Sequence, residues 1–291
     1  MTDATILFRD ALQSIYGPLD WFPVANGAIH RFHVPDDKTG TLNGWYVLYL
    51  DGIASGAFGS WKDGVTYKWC SREPHDNREA EQVRQRFKQA RQQREAEQCQ
   101  RQLSAANLAQ RWWRDTRPAD SDHCYLIAKG VRLHGLHQRG DELLVPMYAA
   151  GVLVNLQRIA LDGSKRFLSG GRVKGCYSPM GIIAADQPLY LCEGWATGAT
   201  IHAETGAAVA CAMNAGNLLE VGQRLQRQHP DAMLIVAGDD DRQTKGNPGR
   251  SFAIKAAAAL GCGVVFPDWP PTAPLTLTDF NDLRQWRKVS Q

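Results

Sequence analysis

The chain has 291 residues, which is enough for two modest domains at roughly 150 residues per domain. Its hydrophobic share of 44% and charged share of 22% are typical of a globular protein and exclude wholesale disorder. No apolar run approaches the roughly 18–20 residues of a membrane helix, and Asp3 and Arg9 interrupt the stretch that a secretory signal would need. We therefore expect neither a membrane protein nor a secreted one.

The cysteine count and the net charge narrow the class further. Seven cysteines, with no C-x-x-C pair, argue against a disulfide scaffold and against a zinc ribbon, and they favour a reducing cytoplasm. A net charge of +3 permits a nucleic-acid partner without requiring one.

The N-terminal region, residues 1–72, is rich in glycine and aromatic residues. β-Branched and aromatic runs at 44–50, 57–61 and 65–69 predict an antiparallel meander, and so a β-rich N-terminal domain. Its aromatic side chains have two interpretations, as the core of a small β-domain or as stacking partners for template bases.

The next segment, residues 73–118, has a helical composition. Between Arg78 and Arg117 there are ten Lys or Arg against five Asp or Glu, and neither Gly nor Pro occurs. We predict one charged helix with a largely solvated face. A spacer is its simplest role, and a DNA-tracking role is the alternative.

The remainder of the chain divides into a basic block, 119–185, and an alternating block, 186–291. The basic block contains short strands and glycine turns. The alternating block has apolar runs at 189–192, 207–213, 232–237 and 264–266, separated by helix-like segments at 196–204, 218–228 and 251–260. Apolar strands that alternate with helices predict an α/β domain whose parallel sheet is covered on both faces.

Carboxylates follow these predicted strands. In an open parallel sheet, ligands bind beyond the carboxyl ends of the strands, where Glu193, Asp239 and Asp241 lie, with Asp279 and Asp282 further along the chain. Alternation along an extended chain places Asp239 and Asp241 on one side, an arrangement that suits Mg²⁺. The pattern predicts metal-assisted phosphoryl or nucleotidyl transfer and leaves open a nuclease, a polymerase or a phosphatase.

Several motifs then carry a resemblance to a known family. Glu193-Gly194-Trp195-Ala196-Thr197-Gly198 resembles the EGYATA motif of plasmid and phage DNA primases, and residues 186–282 resemble a TOPRIM domain, with Asp239 and Asp241 as its D-x-D. Further resemblances lie in short stretches at 144–146, 155–158, 162–167, 174–175, 214–217, 247–249 and 279–283. The resemblance extends over roughly residues 121–285.

The resemblance implies a DNA primase that makes short RNA primers on single-stranded DNA for plasmid or phage replication. In this reading Asp239 and Asp241 hold Mg²⁺ (or Mn²⁺), and Asp279 or Asp282 completes or supports the site. Glu193 deprotonates the attacking hydroxyl or helps to order the metal-bound water. Ribonucleoside triphosphates are the substrates, a separate replicative helicase is the expected partner, and the cytoplasm is the expected location.

The resemblance also gives a role to four basic residues of the preceding block. Arg158, Lys165, Arg166 and Lys174 are expected to contact the triphosphate and the template backbone, and a solvated basic loop is the alternative.

The sequence departs from the family in several ways. Trp195 replaces a tyrosine and Gly198 replaces an alanine of the motif. There is no cysteine pattern for an N-terminal zinc module, so we predict no zinc, and there is no P-loop motif for a fused helicase. A TOPRIM nuclease and a non-catalytic single-stranded-DNA-binding protein remain as alternatives.

Overall fold

The structure is a computed structural model, and it describes residues 3–35, 37–62 and 64–290. Internal contacts divide the chain into two compact units, the first ending at Gln100 and the second beginning at Arg101. None of the described helices is long and apolar enough to cross a membrane. The finer division at residues 73, 119 and 186 stays a prediction.

The first unit contains a four-stranded antiparallel sheet in the order β1-β2-β3-β4, which confirms the predicted meander. A helix that the sequence analysis did not predict precedes it, capped by the Asp3 carboxylate, which accepts a hydrogen bond from the Thr5 N–H at 2.9 Å. The elements are α1 (Ala4–Tyr16), β1 (His30–Phe32), β2 (Gly44–Tyr49), β3 (Ser55–Ser60) and β4 (Thr66–Cys70).

The two faces of this sheet form separate cores. On one face, Phe8 of α1 packs against Tyr46 and Phe58 in a cluster of tilted and edge-on rings. On the other face, Trp45 and Ala57 are buried. Many of the aromatic residues of this unit therefore form its core.

The predicted charged helix is confirmed as α2 (Asn77–Asp115). Within the first unit, its Phe87 and Ala90 pack on the sheet face that Trp45 and Ala57 line. Within the second unit, Ala109 is buried in a cluster of that unit's own residues. Apolar residues of this charged helix therefore pack within each of the two units.

The second unit begins with an antiparallel sheet in the order β5-β6-β7-β8-β9. A bulge between Met147 and Tyr148 interrupts its longest pair of strands. The elements are β5 (Arg117–Pro118), α3 (Cys124–Lys129), β6 (His137–Arg139), β7 (Glu142–Ala149), β8 (Val152–Ile159) and β9 (Lys165–Phe167).

A second sheet follows in the order β10-β12-β11-β13-β14, in which β12, β11, β13 and β14 run parallel and β10 is antiparallel. This arrangement confirms the predicted α/β fold with a parallel sheet. The elements are β10 (Ser178–Met180), β11 (Pro188–Cys192), α4 (Trp195–Thr205), β12 (Ala208–Cys211), α5 (Leu218–Gln228), β13 (Met233–Ala237), α6 (Pro248–Leu260), β14 (Gly263–Val265) and α7 (Phe280–Val289).

Helices cover both faces of the parallel sheet. Ala199 and Ile201 of α4 are buried in the core of one face, and Val221 of α5 and Ala253 of α6 are buried in the core of the other. The predicted carboxylates Glu193 and Asp239 follow the carboxyl ends of two of these strands, β11 and β13.

Candidate active site

The site is built on two neighbouring parallel strands. The last residues of β11 and β13, Cys192 and Ala237, are paired in register. Glu193 follows one strand at once and Asp239 follows the other after Gly238, so both side chains emerge from the same edge of the sheet.

The Asp239-Asp240-Asp241 segment separates its three carboxylates. Asp240 is buried, accepts a hydrogen bond from the Asn247 side-chain amide at 2.7 Å, and forms an ion pair with Arg250 at 3.3 Å. Its N–H donates to the Thr278 carbonyl at 2.7 Å, which joins this segment to the closing acidic motif. Asp240 therefore has a structural role, as the predicted alternation requires.

Asp241 is held by the start of α6. Its carboxylate accepts a hydrogen bond from the Gly249 N–H at 2.7 Å, and its own N–H donates to the Asn247 side chain at 2.8 Å. A Cβ at Gly249 would lie 2.8 Å from the Asp241 carboxylate and 3.1 Å from the Asp239 Cβ. Glycine is therefore required here by the close approach of the two aspartates.

Asn247 adopts a left-handed backbone with φ of 42° and ψ of 70°, a conformation that asparagine tolerates better than most residues. From this position its side chain binds both Asp240 and Asp241. The Asn247-Pro248-Gly249 stretch thus positions the acidic loop and begins α6.

The closing acidic motif has its oxygens engaged by protein groups. Asp279 caps α7 and accepts hydrogen bonds from the Asp282 N–H at 2.8 Å and the Thr197 hydroxyl at 3.0 Å. Asp282 accepts one from the Thr278 N–H at 3.1 Å and lies 3.5 Å from the Lys129 ammonium.

The electrostatics identify Asp239 as the centre of the cluster. Burial, and after it repulsion from Glu193, Asp279, Asp241 and Asp282, raises the pKa of Asp239 to about 8. Its Oδ1 atom is buried and has no hydrogen-bond partner among the described residues. Within the residues that the structure describes, no hydrogen-bond donor therefore stabilises this oxygen.

Glu193 has a raised pKa too. Burial is the main cause, followed by repulsion from Asp241, while a hydrogen bond from the Ala215 N–H and the charge of Lys165 oppose the shift. A carboxylate with a raised pKa is a stronger base than an ordinary one.

Lys165, one of the four predicted basic residues, interacts electrostatically with this cluster. The surrounding protein withdraws water from its ammonium group, which lowers the pKa of Lys165, and Lys129 lowers it further, while Asp279, Asp239 and Glu193 act in the opposite direction. The ammonium also lies 5.8 Å from the centre of the Tyr125 ring.

The other three predicted basic residues lie elsewhere. Arg158 and Arg166 are directly opposite each other on β8 and β9, so they share a face of the sheet that is opposite to that of Lys165. Arg158 forms an ion pair with Glu142 at 3.5 Å. Lys174 is largely exposed and lies 3.8 Å from Glu220.

The two departures from the primase motif have local explanations. Trp195 is fully buried in the core beneath the site. A Cβ at Gly198 would overlap the Cys211 sulphur and lie 3.1 Å from that of Cys192. The glycine therefore compensates for two cysteines on the neighbouring strands.

A buried amide explains part of the Asn214–Asn217 stretch. The Asn217 side chain accepts from the Gly175 N–H at 2.8 Å and donates to the carbonyls of Ala212 at 2.8 Å and Cys176 at 3.0 Å. It therefore joins the basic block to the parallel-sheet domain.

The acidic residues also contact three side chains outside the predicted set: Lys129, Thr197 and Arg250. Lys129 contacts Asp282 across 153 residues of chain, and nothing in the local sequence indicates that contact. The Thr197 contact with Asp279 could have been suspected, because Thr197 lies in the recognised motif.

Comparisons with known proteins agree with the resemblance. Residues 188–288 match the Toprim domain family. The chain is 34% identical over 281 residues to a DNA primase TraC of Escherichia coli, a match that includes 91% of this chain and 26% of that protein. A second E. coli DNA primase TraC is 34% identical over 261 residues, or 86% of this chain and 18% of that protein. The chain thus spans about a quarter of the length of the curated relatives it matches, or less.

Two solved structures are similar at lower identity. The DnaG primase catalytic domain bound to single-stranded DNA matches 66% of this chain and 76% of its own, with 14% identity and a TM-score of 0.44. The bacteriophage T7 lagging-strand DNA polymerase interacting with primase domains of two gp4 subunits matches 56% of this chain and 85% of that chain, with 13% identity and a TM-score of 0.42.

Proposed function

We propose that this chain, a relative of plasmid-type primases that carries a Toprim domain, synthesises short RNA primers on single-stranded DNA. The reaction would be metal-dependent nucleotidyl transfer, serving plasmid or phage replication. The observation that carries the proposal is the position of Glu193, Asp239 and Asp241 at the ends of two adjacent parallel strands. The similarity to TraC, which extends over 91% of this chain, supports it.

The residues present fit a divalent metal ion. Among the described residues, no three His, Cys, Asp or Glu side chains converge as a ready metal site, but Mg²⁺ commonly takes only one or two carboxylates and completes its shell with water and substrate phosphate. A cation would stabilise the ionised form of Asp239, because its buried Oδ1 has no hydrogen-bond partner among the described residues and its pKa is raised.

Asp239 and Asp241 would hold the ion directly. The resemblance implies that Asp279 or Asp282 completes or supports the site. Their hydrogen bonds to Thr197 and Thr278 favour the supporting role, in which they fix the geometry and add negative potential.

In the proposed reaction a bound Mg²⁺ or Mn²⁺ ion supplies positive charge to phosphate oxygens that become more negative in the transition state. Glu193 accepts the proton of the attacking 3′-hydroxyl, as its raised pKa favours. The hydroxyl oxygen then bonds to the α-phosphate of the next nucleotide, and pyrophosphate leaves. Lys165 binds the triphosphate and keeps its charge near the reacting phosphate.

The remaining predicted basic residues bind the template strand and do not take part in the chemical step. Arg158 and Arg166 lie opposite each other on β8 and β9, with Arg158 also paired to Glu142, and Arg139, also in this unit, stacks over Trp112 at 4.1 Å. A surface of arginines beside an aromatic ring is suited to a single-stranded template. Lys174 would add a peripheral phosphate contact.

We further propose that the chain acts in the cytoplasm beside a separate replicative helicase. We also keep the division into a β-rich domain (1–72), a charged helical segment (73–118), a basic subdomain (119–185) and a catalytic domain (186–291).

The proposal is tested with Asp239→Ala combined with Asp241→Ala. This variant is expected to lose primer synthesis on circular single-stranded DNA, while its circular dichroism and its affinity for a labelled oligonucleotide in EDTA stay close to those of the wild type. Unchanged primer yield from a folded double variant would contradict the assignment.

A further inference from the structure

The first unit contains a basic groove that the proposed chemistry does not use. It has a volume of about 460 Å³ and lies between the β4 edge of the sheet and the helix α2, within the range of small-ligand sites. Five basic side chains and one acidic side chain line it: Lys68, Arg84, Lys88, Arg91, Arg94 and Glu95. We call this the β4–α2 groove.

The floor of the groove is apolar and fixed. Trp45, Ala57 and Ala90 are buried in a common cluster. Arg94 lies 5.2 Å from the Trp45 ring centre. Lys68 lies 5.3 Å from the ring centre of Phe87, which is partly buried. The cations therefore stand on an aromatic floor.

The positive charge in the groove is only partly neutralised. Arg84 pairs with Glu81 at 3.4 Å and Arg91 with Glu95 at 2.7 Å. Within the described residues, Lys68 and Lys88 have no ion pair, and both are exposed.

One other cation of α2, Arg86, has a structural role and differs in this from Lys88 and Lys68. Arg86, two residues before Lys88, is buried, and it contacts the Asp51 carboxylate at 2.5 Å and the Ile53 carbonyl at 2.8 Å. That side chain anchors the helix to the sheet. Among the described residues, Lys88 and Lys68 form no such ion pair, and Lys68 contacts only the Phe87 ring, so both ammonium groups are available to a ligand.

The spacing of the cations suits a ligand with several phosphate groups in a row, such as a nucleic-acid strand, better than a ligand with a single phosphate group. Arg84, Lys88, Arg91 and Arg94 recur at intervals of three or four residues, and ten residues of helix extend about 15 Å. Lys68 faces them from β4, where the alternation that turns Thr66 and Lys68 to the groove turns Tyr67 to the opposite core.

We propose that the β4–α2 groove binds the sugar–phosphate backbone of single-stranded DNA, with Lys68 and Lys88 each contacting a phosphate. A narrow, positively charged groove with aromatic side chains suits one strand without sequence preference. That this strand is the template rests on the proposed function, whereas the binding itself does not.

The test measures the affinity of the full chain for a fluorescein-labelled 30-mer of deoxythymidine, by anisotropy in EDTA across a potassium chloride series. Lys68→Gln combined with Lys88→Gln is expected to weaken binding about five- to twentyfold near 0.1 M salt. It is also expected to reduce the slope of log affinity against log salt by about 1.4, because each phosphate contact to a single strand contributes about 0.7.

The matched control removes two exposed lysines outside the groove, by Lys38→Gln combined with Lys255→Gln, and it should stay within twofold of the wild type. Equal losses in the two variants would show a general charge effect and overturn the proposal. Equal affinity for a 30-base-pair duplex, or displacement of the oligonucleotide by ATP at equal phosphate concentration, would overturn it in favour of a duplex or mononucleotide site.

Two further measurements separate this proposal from the proposed function. Asp239→Ala combined with Asp241→Ala should keep the wild-type affinity and salt slope even if it makes no primers. The groove variant should reach the wild-type rate of dinucleotide synthesis at saturating template and lose rate only when template is limiting. A loss at saturating template would place the two lysines in the chemistry and overturn the groove assignment.

Discussion

Asp239→Asn is expected to stabilise the metal-free protein while it destroys the site. The carboxyl group of Asp239 is buried with an unpartnered oxygen among four other carboxylates, and its pKa is raised from 3.8 to about 8. A neutral amide of the same shape removes the ionisation that this environment opposes. Catalytic residues often carry such a cost in stability.

The magnitude follows from the shift. A rise from 3.8 to about 8 corresponds to about 4 pKa units at about 1.4 kcal/mol each. At pH 8 the Asp239 carboxyl group of the unfolded chain ionises freely. The free energy of unfolding of the wild type is therefore lower than that of Asp239→Asn by on the order of 5 kcal/mol. Relaxation of the site and residual water lower this ceiling, and we expect a gain of about 2 kcal/mol, or about 4–8 °C in Tm for a domain of this size.

The stability gain expected from Asp239→Asn depends on pH. Because the pKa of the folded state is raised, the folded protein binds more protons than the unfolded chain between about pH 4 and pH 8, and the contribution of Asp239 to stability falls as pH rises through that window. The gain from Asp239→Asn should therefore be small at pH 5 and largest at pH 8.

The assay is urea unfolding in EDTA at pH 5 and pH 8, followed by tryptophan fluorescence. Asp240→Asn is the control, because it weakens a carboxylate that is bound by Asn247 and Arg250 and should destabilise the fold by about 1–2 kcal/mol. A neutral or destabilising Asp239→Asn at pH 8, or a gain that does not shrink at pH 5, would refute the reasoning.

Four more predictions follow from the same contacts. Millimolar Mg²⁺ should raise the Tm of the wild type but leave that of Asp239→Ala combined with Asp241→Ala unchanged, and an equal rise in both would argue against a metal at these aspartates. Gly249→Ala should cut primer synthesis tenfold or more, because the new methyl group would displace Asp241 or Asp239. Gly263→Ala should have little effect, because its Cβ would lie 4.0 Å from its nearest neighbour. Similar rates of primer synthesis in the two variants would count against the geometry. Gly198→Ala should destabilise the fold by about 1–3 kcal/mol, measured by urea unfolding, and adding Cys211→Ala should restore part of the loss by removing the overlapping sulphur; no restoration would show that the overlap is not the cause. Lys165→Gln should raise the KM for ribonucleoside triphosphates at least tenfold in initial-rate assays, and an unchanged KM would remove this residue from the site.

The sequence predicts well which edge of the sheet carries the acidic residues, because strand ends and acidic residues are local features. The apolar runs that become β11 and β13 are followed directly by Glu193 and by the Asp239–Asp241 segment, and adjacent parallel strands must bring these together. The resemblance to primases adds the chemistry that spacing alone leaves open.

The remaining features depend on contacts that local patterns do not contain. Lys129 reaches Asp282 only through the packing of α3 beside α7. Arg166 and Lys165 are adjacent in sequence, yet strand alternation sends them to opposite faces, which requires the bounds of β9 to be known. The helix α1 lies outside the predicted elements, although Asp3 is a recognisable N-cap at its start.

Asp279 has a structural role that its local sequence also indicates. An aspartate followed three residues later by another acidic residue, before an apolar position, is typical of a helix start, and the structure shows Asp279 capping α7. Its side chain nevertheless contributes to the negative potential at Asp239.

The most direct test of the central claim is synthesis itself. Purified protein is incubated with circular single-stranded DNA, Mg²⁺ or Mn²⁺ and four ribonucleotides, one of them radiolabelled, in parallel with Glu193→Gln. The account predicts short labelled oligomers from the wild type and none from the variant. Metal-dependent loss of the DNA without oligomers would contradict it and indicate a nuclease, and oligomers that persist at the wild-type rate in Glu193→Gln would contradict the assigned base.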